Sequence, residues 1–296
     1  MSLDVTKPDL PLRLALHLFR IVLSSPIGDV MIRAGRKYIN SDEKGWFETT
    51  RLCLKLPYLN PEFTGFRVVQ ISDFHIGTWT DRKKLDQVIG HVNLLQPDLV
   101  AMTGDFVTFT PDKYESDLVG ALSSIRAEHG SIAVLGNHDH WADPKIVRRI
   151  LDKSGVKELR NSILTLQRGK SRLHFAGVDD IMEDFDDLRS VLKQIPSDGA
   201  AILLAHEPDF ADSSAASGRF DLQLSGHTHG GQVSFPHFGP LILPRYGRKY
   251  PSGYYQVDGM QLYTNRGIGT AELQFRYNCP AEITLIELFP GNQQDL

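Results

Sequence analysis

Ser131-Ile132-Ala133-Val134, followed by Leu135-Gly136-Asn137-His138-Asp139-His140, is the stretch on which the fold turns. Its first four residues are short, β-prone and largely apolar, the signature of a buried parallel strand. A chain that leaves such a strand through a glycine and then presents Asn, His, Asp and His places polar groups at a sheet's carboxyl edge. Open α/β sheets bind their ligands there. Taken alone, GNHD is a polar turn, so its weight depends on whether other strands end in the same way.

They do. Phe66–Ile71 reads as a strand ending in Ser72-Asp73-Phe74-His75, and Leu85, Val88, Ile89, Val92 and Leu95 then recur at helical spacing. Asp98–Met102 is the next strand and ends in Thr103-Gly104-Asp105, with a helix expected over 114–127. Pro144–Lys153 reads as a helix with Asp143 as N-cap and proline at its first position. Strands are expected at 49–56, 162–167 and 173–177, and a helix at 187–195. Ala200–Ala205 ends in His206-Glu207-Pro208, and Leu222–Leu224 in Ser225-Gly226-His227-Thr228-His229-Gly230-Gly231. Strands at 262–264 and 283–288 complete one α/β domain over 44–296, with no repeat, low-complexity tract or flexible linker.

Residues 1–43 read as an N-terminal extension. Leu12–Leu23 is apolar but interrupted by Arg13, His17 and Arg20, too short and too charged to span a bilayer. Acidic residues precede it and Arg20 breaks it, so it lacks the layout of a signal peptide. Its basic residues share one helical stripe with leucines around the rest, which suits an amphipathic helix lying in a membrane interface as well as one packed on its own domain. A strand is expected over 30–39.

The 296 residues are 41% hydrophobic and 23% charged, ordinary for a soluble globular chain. A net charge of −4 argues against a general nucleic-acid binder. Cys53 and Cys279 stand far apart, so neither a disulfide framework nor a thiolate metal site follows. Of eleven histidines, His17, His91, His129, His174 and His237 read as surface or edge residues.

Five strand ends therefore carry Asp73 with His75, Asp105, Asn137 with His138, His206, and His227 with His229. A lone DxH or GD is usually just a turn. Five such ends in order are not, because polar clusters are costly near a core. Asp, His and Asn without cysteine suit Mn²⁺, Fe or Zn²⁺. The donors are too many for one ion, and paired ions bridged by a carboxylate are standard apparatus for attack at phosphorus.

The order DxH, GD, GNHD, H, GHTH resembles the calcineurin-like metallophosphoesterase superfamily over roughly Phe66 to Ile286. The run Ser225–Gln232, with Arg266-Gly267-Ile268-Gly269 later, is similar to the bacterial phosphodiesterase branch of the YkuE/YaeI type. The resemblance implies a four-layer αββα sandwich and a phosphohydrolase with two divalent ions, Mn²⁺ first among them. It implies that Asp73, His75 and His229 hold one ion, that Asn137, His206 and His227 hold the other, and that Asp105 bridges them. Catalysis would rest on Asp105 and on His138, which would face the phosphate and help protonate the leaving oxygen after attack by a metal-bridging hydroxide.

Departures narrow the activity. Protein phosphatases of the superfamily carry GDxVDRG and GNHE; here Gly104–Phe109 lacks the second Asp and the Arg, and GNHD replaces GNHE. What orients His138 stays open between Asp139 and Asp143. Arg266, His140 and Arg245 are candidate substrate contacts, Arg245 lying with Arg248 and Lys249 in a Pro/Tyr/Gly-rich loop. The expected activity is cleavage of phosphodiester or pyrophosphate bonds in a phosphorylated small molecule or a membrane-associated lipid. The alternatives are a soluble phosphomonoesterase or nucleotide phosphodiesterase, and a non-catalytic scaffold. No nucleic-acid or protein partner is expected. The expected location is the cytoplasm, peripheral at the inner face of the membrane.

Overall fold

The computed structural model describes residues 46–291, apart from 236, 241, 272 and 273. The N-terminal extension, its amphipathic helix and the strand expected over 30–39 lie outside the described residues.

The chain opens with β1 (Phe47–Leu56), β2 (Phe66–Ile71), β3 (Leu99–Thr103), β4 (Ser131–Val134) and β5 (Val156–Glu158). It continues through β6 (Ser162–Arg168), β7 (Ser171–Gly177), β8 (Ala200–Leu204) and β9 (Leu222–Ser225). A small pair, β10 (Ser234–Phe235) and β11 (Gly239–Pro240), precedes β12 (Gly253–Val257), β13 (Met260–Thr264) and β14 (Ala281–Pro290). The strands form two six-stranded sheets, β1-β14-β2-β3-β4-β5 and β12-β13-β9-β8-β7-β6. β2 to β5 run parallel, as do β7, β8, β9 and β13.

Alternate residues of one strand enter different cores, since side chains on a strand point to opposite faces. Val68, Leu99, Ala101 and Ile132 face the second sheet and pack with Phe175, Ile202 and Leu222. Their neighbours Val69, Val100, Met102 and Ala133 face outward, under α1 (Arg82–Leu94) and α2 (Pro111–Leu122). After the short α3 (Asn137–Ala142), α4 (Pro144–Lys153) joins that layer through Val147, Ile150 and Leu151. On the far side, Ala176, Ala201, Leu203 and Leu262 of the second sheet are covered by α5 (Leu188–Gln194) and α6 (Ala211–Ala216). The result is the four-layer αββα sandwich. Each fully buried large apolar side chain contributes roughly 1.5–3 kcal/mol, so these layers outweigh any single cap or ion pair.

Most elements match the expectations within two or three residues. Asp143 caps α4 by accepting from Lys145 N at 2.9 Å, and Pro144 takes the first helical position. The helix expected over 114–127 begins instead at Pro111, where a missing N–H costs nothing. GNHD is a helix start as well as a turn: Gly136 is the N-cap of α3. β5 and β12 escaped notice, β5 because it is three residues long and β12 because prolines and glycines crowd its approach. His174 is not a surface residue. It is fully buried on β7, where its ring nitrogens are held by Thr165 Oγ1 at 2.9 Å and the Asp198 carbonyl at 2.7 Å.

Candidate dinuclear metal centre

Both sheets present carboxyl ends at one place, β2, β3 and β4 from the first and β8 and β9 from the second. The loops leaving them are tied together: Asp73 N donates to Gly104 O at 2.9 Å, His75 N to Asp105 O at 3.1 Å, and Gly226 N to His206 O at 3.0 Å. Asp73, His75, Asp105, His227 and His229 all adopt left-handed backbone, with φ of 52°, 46°, 58°, 70° and 51°. That conformation costs about 1–2 kcal/mol per non-glycine residue, and such strain concentrates at functional sites. Between them the motif glycines make room. A Cβ on Gly136 would lie 2.7 Å from the His206 ring and collide with Asp105 Oδ1.

The polar atoms converge on two neighbouring points. His75 Nε2 and His229 Nε2 approach to 3.0 Å, and Asp73 Oδ1 lies 3.4 Å from His229 Nε2. Asp105 Oδ2 is 3.3 Å from His75 Nε2 and also 3.3 Å from His206 Nε2, so one carboxylate oxygen serves both halves. All seven side chains, including Asn137 and His227, are buried. Asn137 Oδ1 and His206 Nε2 are buried with no hydrogen-bond partner in the protein. Orphaned buried atoms on a hard-to-borderline donor set are what a cation pair would satisfy.

The opposite nitrogen of each histidine is already engaged. His75 Nδ1 meets Thr108 Oγ1 at 3.1 Å, and His206 Nδ1 meets the Thr103 carbonyl at 2.5 Å. His227 Nε2 meets the Arg245 carbonyl at 2.8 Å, and Arg276 Nη2 lies 3.2 Å from His229 Nδ1. Such contacts set ring orientation and, for His75, His206 and His227, leave the inward nitrogen for a cation.

Burial, then the neighbouring His206, lowers His227 to about 4, and burial, then His75 and Arg276, holds His229 well below its ordinary range. Neutral imidazole is the form that binds metal. Burial opposes ionisation of Asp105, yet the neighbouring His206 outweighs it and holds the carboxyl well below its ordinary range.

Residues 66–231 match the family model described as calcineurin-like phosphoesterase. The chain belongs to that family. Metallophosphoesterase YkuE of Bacillus subtilis, a protein described as uncharacterized, is 34% identical over 90% of this chain and 93% of its own length. Phosphodiesterase YaeI of Escherichia coli is 26% identical over 91% of this chain and 98% of its own. This calcineurin-like phosphoesterase is a metal-dependent phosphoester hydrolase.

The remaining expected site residues of the phosphoesterase divide sharply. His138 sits beside the centre: its N donates to Asp105 Oδ1 at 3.0 Å, and its ring lies edge-on to His75 at 4.7 Å and Trp141 at 4.8 Å. Its Nδ1 is buried without a hydrogen-bond partner. Neither Asp139 nor Asp143 orients it. Asp139 accepts from Gly136 N, Asp105 N, Phe106 N and Val107 N at 2.9–3.2 Å, bracing the Asp105 loop, and Asp143 caps α4.

Arg266 and His140 are not free to meet a substrate. Arg266 Nε is 3.1 Å from Glu282 and its Nη2 3.1 Å from Glu48. His140 Nε2 is 2.8 Å from Asp179, and its ring stacks on Phe185. Acidic partners distant in the chain have claimed both. Arg245 supplies its carbonyl to His227, while its side chain is exposed beside Tyr246.

Sequence reasoning missed Arg276. Its buried guanidinium donates to the carbonyls of Gly269, Gly267, Arg266, His229 and Cys279, fixing the loop beneath His229. It also missed Asp180 and Glu207, fully buried acids beside His206. Burial and Glu207 raise Asp180 to about 10. The only available signal was position, since both follow strand ends.

Proposed function

We propose that this chain hydrolyses phosphodiester or pyrophosphate bonds with two divalent cations, Mn²⁺ being the expected pair. Asp73, His75 and His229 would hold one, Asn137, His206 and His227 the other, with Asp105 shared between them. The observation that carries this is Asp105 Oδ2, 3.3 Å from one histidine of each half, with orphaned Asn137 Oδ1 and His206 Nε2 beside it. When bound, the ions supply Lewis acidity and lower the pKa of water toward neutrality.

The chain's own residues do the rest. Burial lowers His138 to about 4, so at neutral pH its ring is uncharged, with Nδ1 buried and unpartnered. The negative charge of an arriving phosphate raises the basicity of the ring, which takes up a proton from solvent and passes it to the leaving oxygen. A membrane-associated lipid is the preferred substrate; the exposed Arg245 offers a contact for an anionic headgroup.

The test is turnover of bis(p-nitrophenyl) phosphate and p-nitrophenyl phosphate by Mn²⁺-loaded protein, with metal content measured alongside. The diester is expected to be the better substrate, and Asp105→Asn to lose metal and about 10²-fold or more in activity. Preference for the monoester would make the enzyme a phosphomonoesterase. Metal-replete protein without turnover of either would refute the hydrolase assignment.

A further inference from the structure

Three large aromatic side chains are exposed at the same rim as the centre: Phe109 (72%), Trp141 (44%) and Phe185 (48%). They leave three different strand ends, those of β3, β4 and β7. Scattered exposed aromatics need no explanation, but a group beside a catalytic site marks a binding surface. Two of the three lead directly to the centre. The Trp141 ring is 4.8 Å from the His138 ring, and Phe109 follows Thr108, whose Oγ1 holds His75.

The rim is also held in place. Trp141 Nε1 donates to Glu183 Oε1 at 2.7 Å, which ties α3 to the loop carrying Phe185. Phe185 stacks on His140 at 5.0 Å, and His140 is anchored by Asp179. Asp179 in turn accepts from Arg148 at 3.2 Å and Arg160 at 2.8 Å. An apolar surface already ordered before binding loses little entropy when it is covered.

We infer that Phe109, Trp141 and Phe185 form an apolar subsite for the leaving group, so that the preferred substrate carries a hydrophobic tail or ring on the oxygen that departs. This rests on the hydrolase assignment above and on His138 facing that oxygen. His140 then acts as the support behind Phe185.

The probes are methyl 4-alkylphenyl phosphates with para-methyl to para-octyl chains, whose leaving phenols share one acidity, each kept below its micelle concentration. Released phenol is measured with the Mn²⁺-loaded full chain. A fully buried methylene is worth about fourfold in affinity, so kcat/KM should rise about tenfold or more across the series, mainly through KM. In Phe109→Ala, and more strongly in Phe109→Ala with Trp141→Ala, the octyl-to-methyl ratio should fall toward one. Taking the ratio within each variant removes any general effect on His138. Leu94→Ala, an exposed side chain at the C-terminal end of α1, should keep the wild-type ratio. A flat series with active wild-type enzyme, or a ratio that survives loss of Phe109 and Trp141, would overturn the subsite. No turnover of any member would instead sink the hydrolase assignment on which it rests.

Discussion

His138 shows how little of a residue's role is written in its name. Its Nδ1 is buried and bare, and the rings of His75 and Trp141 fix its plane. Replacing it with alanine should lower kcat by about 10²–10⁴-fold while bound metal, measured by elemental analysis, is retained. Activity undiminished in that variant would remove its role. Asp180 makes a prediction of opposite character. Burial raises it to about 10, so the folded chain keeps a proton that the unfolded chain releases above about pH 4. Stability from this group is therefore complete below about pH 4 and falls as pH rises above it, because only the unfolded chain then releases the proton. Asp180→Asn, neutral throughout, should gain in melting temperature over wild type between pH 5 and pH 8. An equal difference at both pH values would contradict the shift.

At the scale of elements, α3 and the loop after β3 behave as one unit because the Asp139 carboxylate accepts four backbone N–H groups across them. Asp139→Asn replaces one acceptor oxygen with a donor that faces those same N–H groups. It should cost about 1–3 kcal/mol, seen as a lower melting temperature and weaker metal retention. Unchanged stability would show that the brace is dispensable. The elements themselves were largely legible. β2, β3, β4, β8 and β9 announce themselves as short apolar runs, and Asp143-Pro144 marks the start of α4. β12 was not, since Pro251 and Gly253 break the pattern just where it begins.

For the whole molecule, the stacking of two sheets brings Asp73 and His229 within 3.4 Å although 156 residues of chain (229 − 73) separate them. From the amphipathic pattern of Leu12–Leu23 in the sequence, we propose that residues 1–26 anchor the chain to anionic membranes. Among the described residues no helix is long and apolar enough to cross a membrane. Deleting residues 1–26 should abolish co-sedimentation with anionic phospholipid vesicles and leave turnover of soluble diesters intact. Equal vesicle binding with and without the segment would dismiss it as an anchor.

The sequence by itself determined the donor chemistry: which strands end in Asp, His and Asn, and where glycine must stand for the chain to turn tightly. These are local properties, governed by side-chain periodicity and backbone sterics within a few residues. Only the tertiary structure decided partnership. It gave Arg266 to Glu48 and Glu282, His140 to Asp179, and the His138 ring to His75 and Trp141. A buried or half-buried polar group takes the partner that the packed sheets bring within about 3 Å, and neighbours in the chain have no priority there.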